Sequence, residues 1–211
     1  MRSGISQALF DFDGVLAHYQ RHQRVVWLAA YAGVDYDRVF QVLYSSGLEA
    51  AHDAGQLDAQ AYLHALGQGI GRAVDVPAWQ SARLAGTVPN LQALQRVASL
   101  DPALELAILT NNGVLIVPVV CQVLGAVQAR VQGRVLCSGQ FGLRKPVVEV
   151  YQRALDHLGW AAHSTLFVDD LFVNVQGARA AGLQADSVRD ARALGRVFKR
   201  YGLASGTVTS L

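Results

Sequence analysis

The amino-acid sequence predicts an α/β fold, in which a doubly wound parallel sheet carries an inserted, small all-helical domain. From residue 89 onward, short apolar runs typical of buried strands alternate with segments of helical periodicity. This alternation favours a parallel sheet covered by helices on both faces. Residues 18–85 show only helical periodicity. Since one apolar run, residues 5–10, precedes this block, we expect the helical domain to interrupt the sheet just after its first strand.

The predicted elements follow one another along the chain with recognisable start and stop residues. Gly33 is placed to end the first helix, and Pro146 is placed as the first residue of a later one. In the helical block we predict helices at residues 21–32, 47–54, 57–69 and 77–85. A further helix is expected to be capped by Asp35 or Asp37 and to continue through Tyr44. Beyond it we predict strands at residues 104–109, 135–137, 165–168 and 183–186, and helices at 90–100, 147–158, 173–181 and 191–201, with a weaker helical stretch around Pro118 and Gly125.

The length and the change of pattern predict how the chain is divided. A chain of 211 residues can form one large domain, or a domain with a smaller one inserted. We assign residues 1–17 and 86–211 to the α/β core and residues 18–85 to the helical domain. Hydrophobic residues make up 52% of the chain, so we expect a complete buried core rather than extensive disorder.

Charge and cysteine usage disfavour several classes of function. The net charge is +2 and the basic residues are scattered, which gives little support for nucleic-acid binding. Cys121 and Cys137 have no metal-ligand spacing and are expected to be reduced thiols. The N-terminus has no long apolar segment, and the apolar residues 114–120 are too few to span a bilayer. We therefore expect a soluble cytoplasmic protein that binds neither nucleic acid nor membrane.

Lysine occurs at two positions only. Of the 18 basic residues, Lys145 and Lys199 are lysines and the others are arginines. Lysine is a compact point charge and arginine a wide planar fork, so the choice of lysine can matter for function. Lys199 lies in a basic helical stretch and is expected to face water, which leaves Lys145 as the candidate.

Two aspartates, Asp11 and Asp13, follow the first predicted strand and precede a glycine. Residues i and i+2 of a strand point to one side, so the two carboxylates would lean the same way if the strand continued. Crowded carboxylates repel each other unless a cation such as Mg²⁺ lies between them or one of them holds a proton. The segment is equally typical of a solvated turn. On its own it leaves both interpretations open.

Polar side chains also follow, or lie beside, three further predicted strands. In an open α/β sheet, ligands bind beyond the carboxyl ends of the strands, where loops can bring distant residues together. A carboxylate can attack phosphorus, and a second one can move a proton. A hydroxyl and an ammonium can hold phosphate oxygens, and an acidic pair can complete a Mg²⁺ site. The residues are Asp11 and Asp13, Thr110 and Asn111, Lys145, and Asp169 and Asp170.

The order and spacing of these residues resemble the haloacid dehalogenase (HAD) superfamily of phosphotransferases. The core resembles the family on both sides of the helical block, and the block resembles the family's inserted helical cap. The double aspartate of the fourth motif and the short cap are most similar to the small phosphatases with a C1-type cap. The four motifs are matched by Asp11-Phe12-Asp13-Gly14-Val15, Leu109-Thr110-Asn111, Leu143-Arg144-Lys145-Pro146 and residues 167–175, with a similar continuation to Gly182.

The resemblance implies chemical roles for the matching residues. Asp11 would attack the phosphoryl group and form an aspartyl-phosphate. Asp13 would protonate the leaving oxygen and then activate the hydrolytic water. Thr110, Asn111 and Lys145 would bind the transferring phosphoryl group. Phosphoryl transfer needs mainly positioning and charge balance, and this set of residues would supply both.

The resemblance also implies a Mg²⁺ cofactor. Its ligands would be Asp11, the backbone carbonyl of Asp13, and the fourth-motif acids Asp169 and Asp170. Asp170 aligns best with the usual metal-binding acid, and either acid could bind the ion directly or through water. Asn174 stands where many relatives carry a further acid, which predicts weaker support around the metal.

Four other functions share part of this pattern. Dehalogenases of the family lack the second aspartate, because a halide leaves without a proton, so Asp13 favours phosphate esters. A phosphomutase of the same fold is an alternative, although the short cap favours a phosphatase. A phospho-acceptor signalling module is another, but receiver domains carry the acidic pair before the phosphorylated aspartate. A catalytically silent binding module is disfavoured because all four motif positions are filled. The sequence therefore predicts a Mg²⁺-dependent phosphatase acting on a small phosphorylated metabolite, such as a sugar phosphate.

Overall fold

The centre of the molecule is a five-stranded sheet, seen in a computed structural model that describes residues 4–203. The strand order is β5-β4-β1-β6-β7, and all neighbouring strands of this sheet are parallel. The doubly wound parallel sheet expected from the sequence is thus confirmed. Along the chain the strands are β1 (Gln7–Phe10), β2 (Ala17–Tyr19), β3 (Thr87–Pro89), β4 (Glu105–Thr110), β5 (Val135–Cys137), β6 (Thr165–Asp169) and β7 (Gln184–Ser187).

One group of helices makes up the segment between β2 and β3, and a second group belongs to the core around the sheet. Asp58 and Asp75 accept hydrogen bonds from the backbone amides of Ala61 and Ala78, and so cap two helices of the inserted block. That block contains α1 (Arg21–Ala32), α2 (Tyr36–Phe40), a π-helical turn (Gln41–Ser45), α3 (Leu48–Asp53), α4 (Ala59–Ile70) and α5 (Val76–Ala85). The core contains α6 (Leu91–Ala98), α7 (Val117–Leu124), α8 (Gln128–Val131), α9 (Ser138–Phe141), α10 (Val148–Leu158), α11 (Phe172–Ala180) and α12 (Ala191–Arg200).

The central strands are buried on both faces, and successive residues alternate between two apolar clusters. In β4, Leu106 and Ile108 belong to one cluster, whereas Ala107 and Leu109 belong to the other. Each face is covered by helices, so both sets of side chains leave water. This double burial explains why the strand appears in the sequence as an uninterrupted apolar run.

A short antiparallel ribbon joins the two parts of the chain. Strands β2 and β3 pair with Ala17 opposite Pro89 and Tyr19 opposite Thr87. The expectation that residues 18–85 contain no strand is therefore wrong at His18 and Tyr19. A strand of three residues is too short to show a period, and its partner lies about 70 residues away. The ribbon holds together both crossings between the sheet and the helical block.

The helix predicted to begin at Pro146 begins two residues later. The Lys145–Pro146 peptide bond is cis, and the backbone amide of Val147 donates to the carbonyl of Arg144 at 3.0 Å. These contacts form a turn, so Pro146 lies outside α10, which starts at Val148. The prediction of Pro146 as the first helical residue is therefore wrong, because the turn that presents Lys145 occupies that position.

Residues 114–131 are, within the described residues 4–203, the one helical stretch whose length and apolar composition could cross a membrane. By themselves, these two properties are weak grounds for a membrane span, since core helices share them. In the structure the stretch consists of successive short segments, with Gly125 at φ +53° between α7 and α8. Its helix α7 packs near α5 and β5.

Candidate active site

An ion-pair cluster lies at the carboxyl end of the central strands. Asp11 directly follows β1, Asp169 ends β6, and the ammonium of Lys145 lies between them. The Nζ of Lys145 is 2.9 Å from Oδ1 of Asp11 and 2.7 Å from Oδ2 of Asp169. All three residues are at most 7% exposed. The predicted site residues of the first, third and fourth motifs are thus brought together.

Charge in this cluster is only partly balanced. Burial, together with the nearby Asp169 and Asp13 carboxylates, raises the pKa of Asp11 to about 8, although Lys145 acts in the opposite direction. Burial disfavours the ammonium of Lys145, yet Asp11 and Asp169 hold its pKa above the ordinary value. One cation therefore serves two buried carboxylates, and a further cation would stabilise their ionised forms.

The residues present fit a hard divalent cation. Asp11, Asp169 and Asp170 each offer a carboxylate oxygen, and these oxygens lie within 4.8 Å of one another. Gly14 makes room for this group, because a Cβ at that position would lie 2.4 Å from Cγ of Asp170. Burial and Asp169 raise the pKa of Asp170 as well. An all-oxygen set of this kind is the donor chemistry that Mg²⁺ prefers.

The two acids of the fourth motif have different surroundings. Asp169 accepts hydrogen bonds from Lys145, from the backbone amide of Leu171 at 2.8 Å, and from the side-chain amide of Asn174 at 3.0 Å. Asp170 is half-buried and lies over Gly14. An acid in place of Asn174 could not donate these hydrogen bonds unless it were protonated. Asn174 therefore holds Asp169 in place, and Asp170 is the acid with more freedom to bind a cation directly.

Asp13 does not share its partners with Asp11. Strand β1 ends at Phe10, and the amides of Leu16 and Ala17 both donate to the carbonyl of Phe12, which closes a turn. The alternation of a strand therefore does not extend over the two aspartates. The carboxylate of Asp13 instead pairs with Arg83 of α5, whose Nη2 lies 2.8 and 2.6 Å from its two oxygens.

The residues after β4 connect the other groups of the site. Asn112 donates from its side chain to the hydroxyl of Thr110 at 2.7 Å and to Asp13 at 3.2 Å. Asn111 bonds to both backbone groups of Lys145 at 2.9 Å, accepting from its N–H and donating to its carbonyl. The Asn111 side chain thus holds the loop that carries Lys145, and the buried Thr110 hydroxyl is linked to Asp13 through the side-chain amide of Asn112.

Two residues of the site were missed by sequence reasoning. Asn112 directly follows the predicted Thr110 and Asn111, so its position in the loop after a buried strand was an available signal. Arg83 gave none, because it is one of many arginines and lies 70 positions from Asp13. Its role becomes visible only when the helical block is placed against the sheet.

A polar cleft of about 380 Å³ opens above these residues, between the helical block and the sheet. A larger concavity, of about 1020 Å³, runs along α4, but none of the four motif aspartates, Asp11, Asp13, Asp169 and Asp170, lines it. We therefore assign the smaller cleft to the site. Its walls carry the arginines Arg21, Arg24, Arg83 and Arg144, the acids Asp13, Glu49 and Asp53, and the tyrosines Tyr19 and Tyr44.

A buried ion pair forms part of the helical wall of the cleft. The guanidinium of Arg24 pairs with Glu49 and donates to the hydroxyl of Tyr62 at 2.9 Å. It also lies over the ring of Trp79, 5.2 Å from its centroid. A buried pair persists only with such additional partners, because both charges have left water. This part of the block is therefore built to hold polar groups at fixed positions.

Asp53 makes the stability of the protein depend on pH. It accepts from the backbone amide of Gly113 at 3.0 Å, and burial together with Glu49 raises its pKa to about 7. The folded protein then keeps a proton that the unfolded chain loses near pH 4. The free energy of unfolding therefore falls as the pH rises from about 4 to about 7. We expect Asp53→Asn to remove this part of the slope, worth about 1.4 kcal/mol per pKa unit.

Urea unfolding at pH 5 and pH 8 measures this effect. The margin by which the stability of the variant exceeds that of the wild type is expected to be larger at pH 8 than at pH 5, since an amide can still accept from Gly113 but does not titrate. An equal loss of stability between the two pH values in both proteins would contradict the prediction. Asp58→Asn is unsuitable as a control because Asp58 caps α4, whereas the exposed Asp37→Asn changes no cap hydrogen bond.

Comparison with known proteins gives one family and a set of similar folds. A family model described as haloacid dehalogenase-like hydrolase matches residues 5–182. No curated protein sequence matches the chain. Solved structures at 16–22% identity are similar in fold.

Three of these structures illustrate the range of similarity in fold. The HAD family enzyme bt-2542 from Bacteroides thetaiotaomicron, in complex with magnesium and inorganic phosphate, has a TM-score of 0.73 at 16% identity, covering 92% of this chain and 99% of that one. A predicted HAD-like family hydrolase from Porphyromonas gingivalis has a TM-score of 0.72 at 22% identity, covering 93% and 99%. The L-2-haloacid dehalogenase from Xanthobacter autotrophicus has a TM-score of 0.59 at 21% identity, covering 95% and 84%.

Proposed function

The chain belongs to the haloacid dehalogenase-like hydrolase family, and on this basis we propose that it is a Mg²⁺-dependent phosphatase. Its substrate would be a small phosphorylated metabolite, such as a sugar phosphate, hydrolysed through an aspartyl-phosphate. Residues 1–17 and 86–211 would form the catalytic core, and residues 18–85 the cap over the cleft. The phosphatase and substrate assignments go beyond the family, which also includes dehalogenases.

The observation that carries the proposal is the second carboxylate. Asp13 lines the cleft two residues beyond Asp11, while Asp11 itself is engaged by Lys145. A halide leaves without a proton, whereas an alkoxide leaving from a phosphate ester needs one. A proton-transferring group beside the nucleophile therefore favours phosphate esters.

In the proposed reaction, the two aspartates divide the chemistry. A carboxylate oxygen of Asp11 attacks phosphorus, the bond from phosphorus to the leaving oxygen breaks, and Asp13 gives its proton to that oxygen. Asp13 then takes a proton from a water molecule that attacks the same phosphorus. The bond between phosphorus and Asp11 breaks, which releases inorganic phosphate and restores both carboxyl groups. Lys145 and the Thr110 hydroxyl would bind the phosphoryl oxygens during both steps.

Asp11 and Asp170 would hold the magnesium ion through their carboxylates, together with the carbonyl of Asp13. Asp169 would support the site by fixing Lys145. When bound, the ion would neutralise negative charge on the phosphoryl oxygens. The magnesium and phosphate found with bt-2542 support this assignment.

Magnesium is expected to raise the thermal unfolding temperature of the wild type, because a ligand that binds only the folded state stabilises it. Asp170→Asn removes one anionic ligand and should abolish most of this rise, without lowering the unfolding temperature in the absence of metal. Differential scanning calorimetry without metal and with MgCl₂ at about 5 mM, an excess over the protein, measures the unfolding temperature of each protein and its rise with magnesium. Asp186→Asn, away from the cleft, is a control for the loss of an aspartate. An unchanged magnesium response in Asp170→Asn would exclude Asp170 as a ligand.

The size and lining of the cleft support a small polar substrate. A volume of about 380 Å³ lined by arginines, acids and tyrosines suits a hydroxylated or charged leaving group better than an apolar one. The test is phosphate release by the wild type from a panel of sugar, nucleotide and glycolytic phosphates, with and without Mg²⁺. Haloacetate serves as the second arm. Chloride release without phosphate release would replace this proposal with dehalogenation.

A further inference from the structure

We propose that Arg83, which belongs to the helical block, is a positioning residue for Asp13. The inference rests on the proposed function, because Asp13 is the acid and base of that reaction. It adds a residue of the block to the requirements of the chemical step.

The contact joins the two parts of the chain. Arg83 lies in α5, whereas Asp13 lies in the turn after β1, and one guanidinium nitrogen reaches both carboxylate oxygens at 2.8 and 2.6 Å. The side chain of Arg83 is only 1% exposed. Within residues 4–203, Asp13 is the one acid whose oxygens lie within 4 Å of this guanidinium. Because the guanidinium is buried, separating it from Asp13, whose side chain is 25% exposed, would leave the arginine charge without an acidic partner away from water.

The guanidinium is placed by groups other than Asp13. Its Nη1 donates to the hydroxyl of Thr87, which in turn donates to the Arg83 carbonyl at 2.7 Å. Its Cζ lies 3.8 Å from the centroid of the Tyr19 ring. Tyr19 and Thr87 face each other across the β2–β3 ribbon, and the hydroxyl of Tyr19 is bonded to that of Tyr44 at 2.7 Å. Asp13 is therefore oriented by a support that the ribbon and the block build.

The consequence is that the orientation of Asp13 depends on where the helical block sits. Asn112 also donates a side-chain hydrogen bond to Asp13 and links it to Thr110. Both carboxylate oxygens thus accept from the block, and Oδ2 also accepts from Asn112 of the core. Arg83 transfers no proton in this scheme. It keeps the Asp13 oxygens at the position from which they can reach the leaving oxygen and the water.

A double-mutant cycle tests this role, with turnover measured on the ester of the phosphate panel that the wild type hydrolyses fastest. Arg83→Met keeps the length of the side chain and removes its charge, and Asp13→Asn removes the proton-transferring group. We expect Arg83→Met to lower kcat by about 10- to 100-fold, the scale of a misplaced catalytic group, with KM changed less than about threefold. In the Asp13→Asn background the same substitution should change kcat by less than about twofold, because a residue that acts through Asp13 has nothing left to position.

Two further variants separate positioning from folding. Arg83→Lys keeps a buried cation and should recover part of kcat, and it stands in for Arg83→Met if that protein does not fold, as judged by circular dichroism. Arg38→Met changes an exposed arginine of the same block, bonded only to the Gly69 carbonyl at 2.7 Å, and should behave as wild type.

The outcomes that overturn the inference are distinct from failure of the proposed function. An equal loss from Arg83→Met in both backgrounds would show that Arg83 acts independently of Asp13. An unchanged kcat, or a rise in KM alone, would also overturn the positioning role. If the wild type releases no phosphate from any ester of the panel, the proposed function fails and this inference with it.

Discussion

Asp11→Asn is expected to reduce phosphate release by at least about a thousandfold, because an amide cannot attack phosphorus to form the covalent intermediate. The fold should survive the change. The amide oxygen can still accept from the backbone N–H of Phe12, which donates to Asp11 at 2.7 Å. Removing a buried carboxylate whose pKa burial raises to about 8 should even stabilise the metal-free protein above neutral pH.

Steady-state phosphate release and urea unfolding of the same preparations measure both effects. The matched control is Asp101→Asn, on the far side of the sheet from the cleft, at the N-terminal end of β4. This variant should keep full turnover. Turnover near the wild-type level in Asp11→Asn would rule out the nucleophilic role, whereas lost turnover together with a large loss of stability would show that the substitution disrupted the fold.

Lys145→Met is expected to impair stability and turnover together. It leaves the carboxylates of Asp11 and Asp169 facing each other without the ammonium that now lies 2.9 and 2.7 Å from them. Breaking a buried charge cluster by removing one partner costs about 3–5 kcal/mol of stability. Because Lys145 lowers the pKa of Asp11, its loss leaves the folded state binding protons more tightly. The folded form is then favoured at low pH, and the deficit relative to the wild type should grow from pH 5 to pH 8.

The second lysine of the chain supplies the matched control. Lys199 is exposed near the end of α12, so Lys199→Met should change the free energy of unfolding by less than about 0.5 kcal/mol. Urea unfolding at pH 5 and pH 8 compares the two variants. A Lys145→Met protein as stable as Lys199→Met at both pH values would mean that the ammonium does not balance these carboxylates. Magnesium should restore part of the lost stability, since the added cation favours the ionised acids.

The parallel sheet could be predicted because each central strand carries its own signal. Strands β1, β4 and β6 each contain an apolar run of three or four residues that is followed by a polar residue, and burial on both faces requires that composition. The ribbon formed by β2 and β3 could not be predicted in the same way. Three residues show no period, and their pairing depends on how the helical block returns to the sheet.

The sequence assigned the motif residues to the strand ends, but it indicated neither most of their contacts nor the parts played by Asn112 and Arg83. The motif residues do lie at the carboxyl ends of the strands, as the parallel topology requires. The expectation about Asn174 took account of a missing acid but not of the hydrogen bonds that its amide donates to Asp169. Whether a side chain supports a neighbour or binds a ligand depends on donor and acceptor geometry, which spacing along the chain does not contain.

The sequence by itself determined the class of fold and the chemical groups available at the strand ends, because apolar patterning and loop residues are local properties. Only the tertiary structure decided how the acids are divided. It placed Asp11 and Asp169 on Lys145, left Asp170 over Gly14, and paired Asp13 with Arg83. Each of these contacts joins residues that lie 24 or more positions from each other in the sequence. The contacts of Lys145 and Gly14 follow from the pairing of β1 with β6 and the loops that end there, and the contact between Asp13 and Arg83 follows from packing the helical block against the sheet.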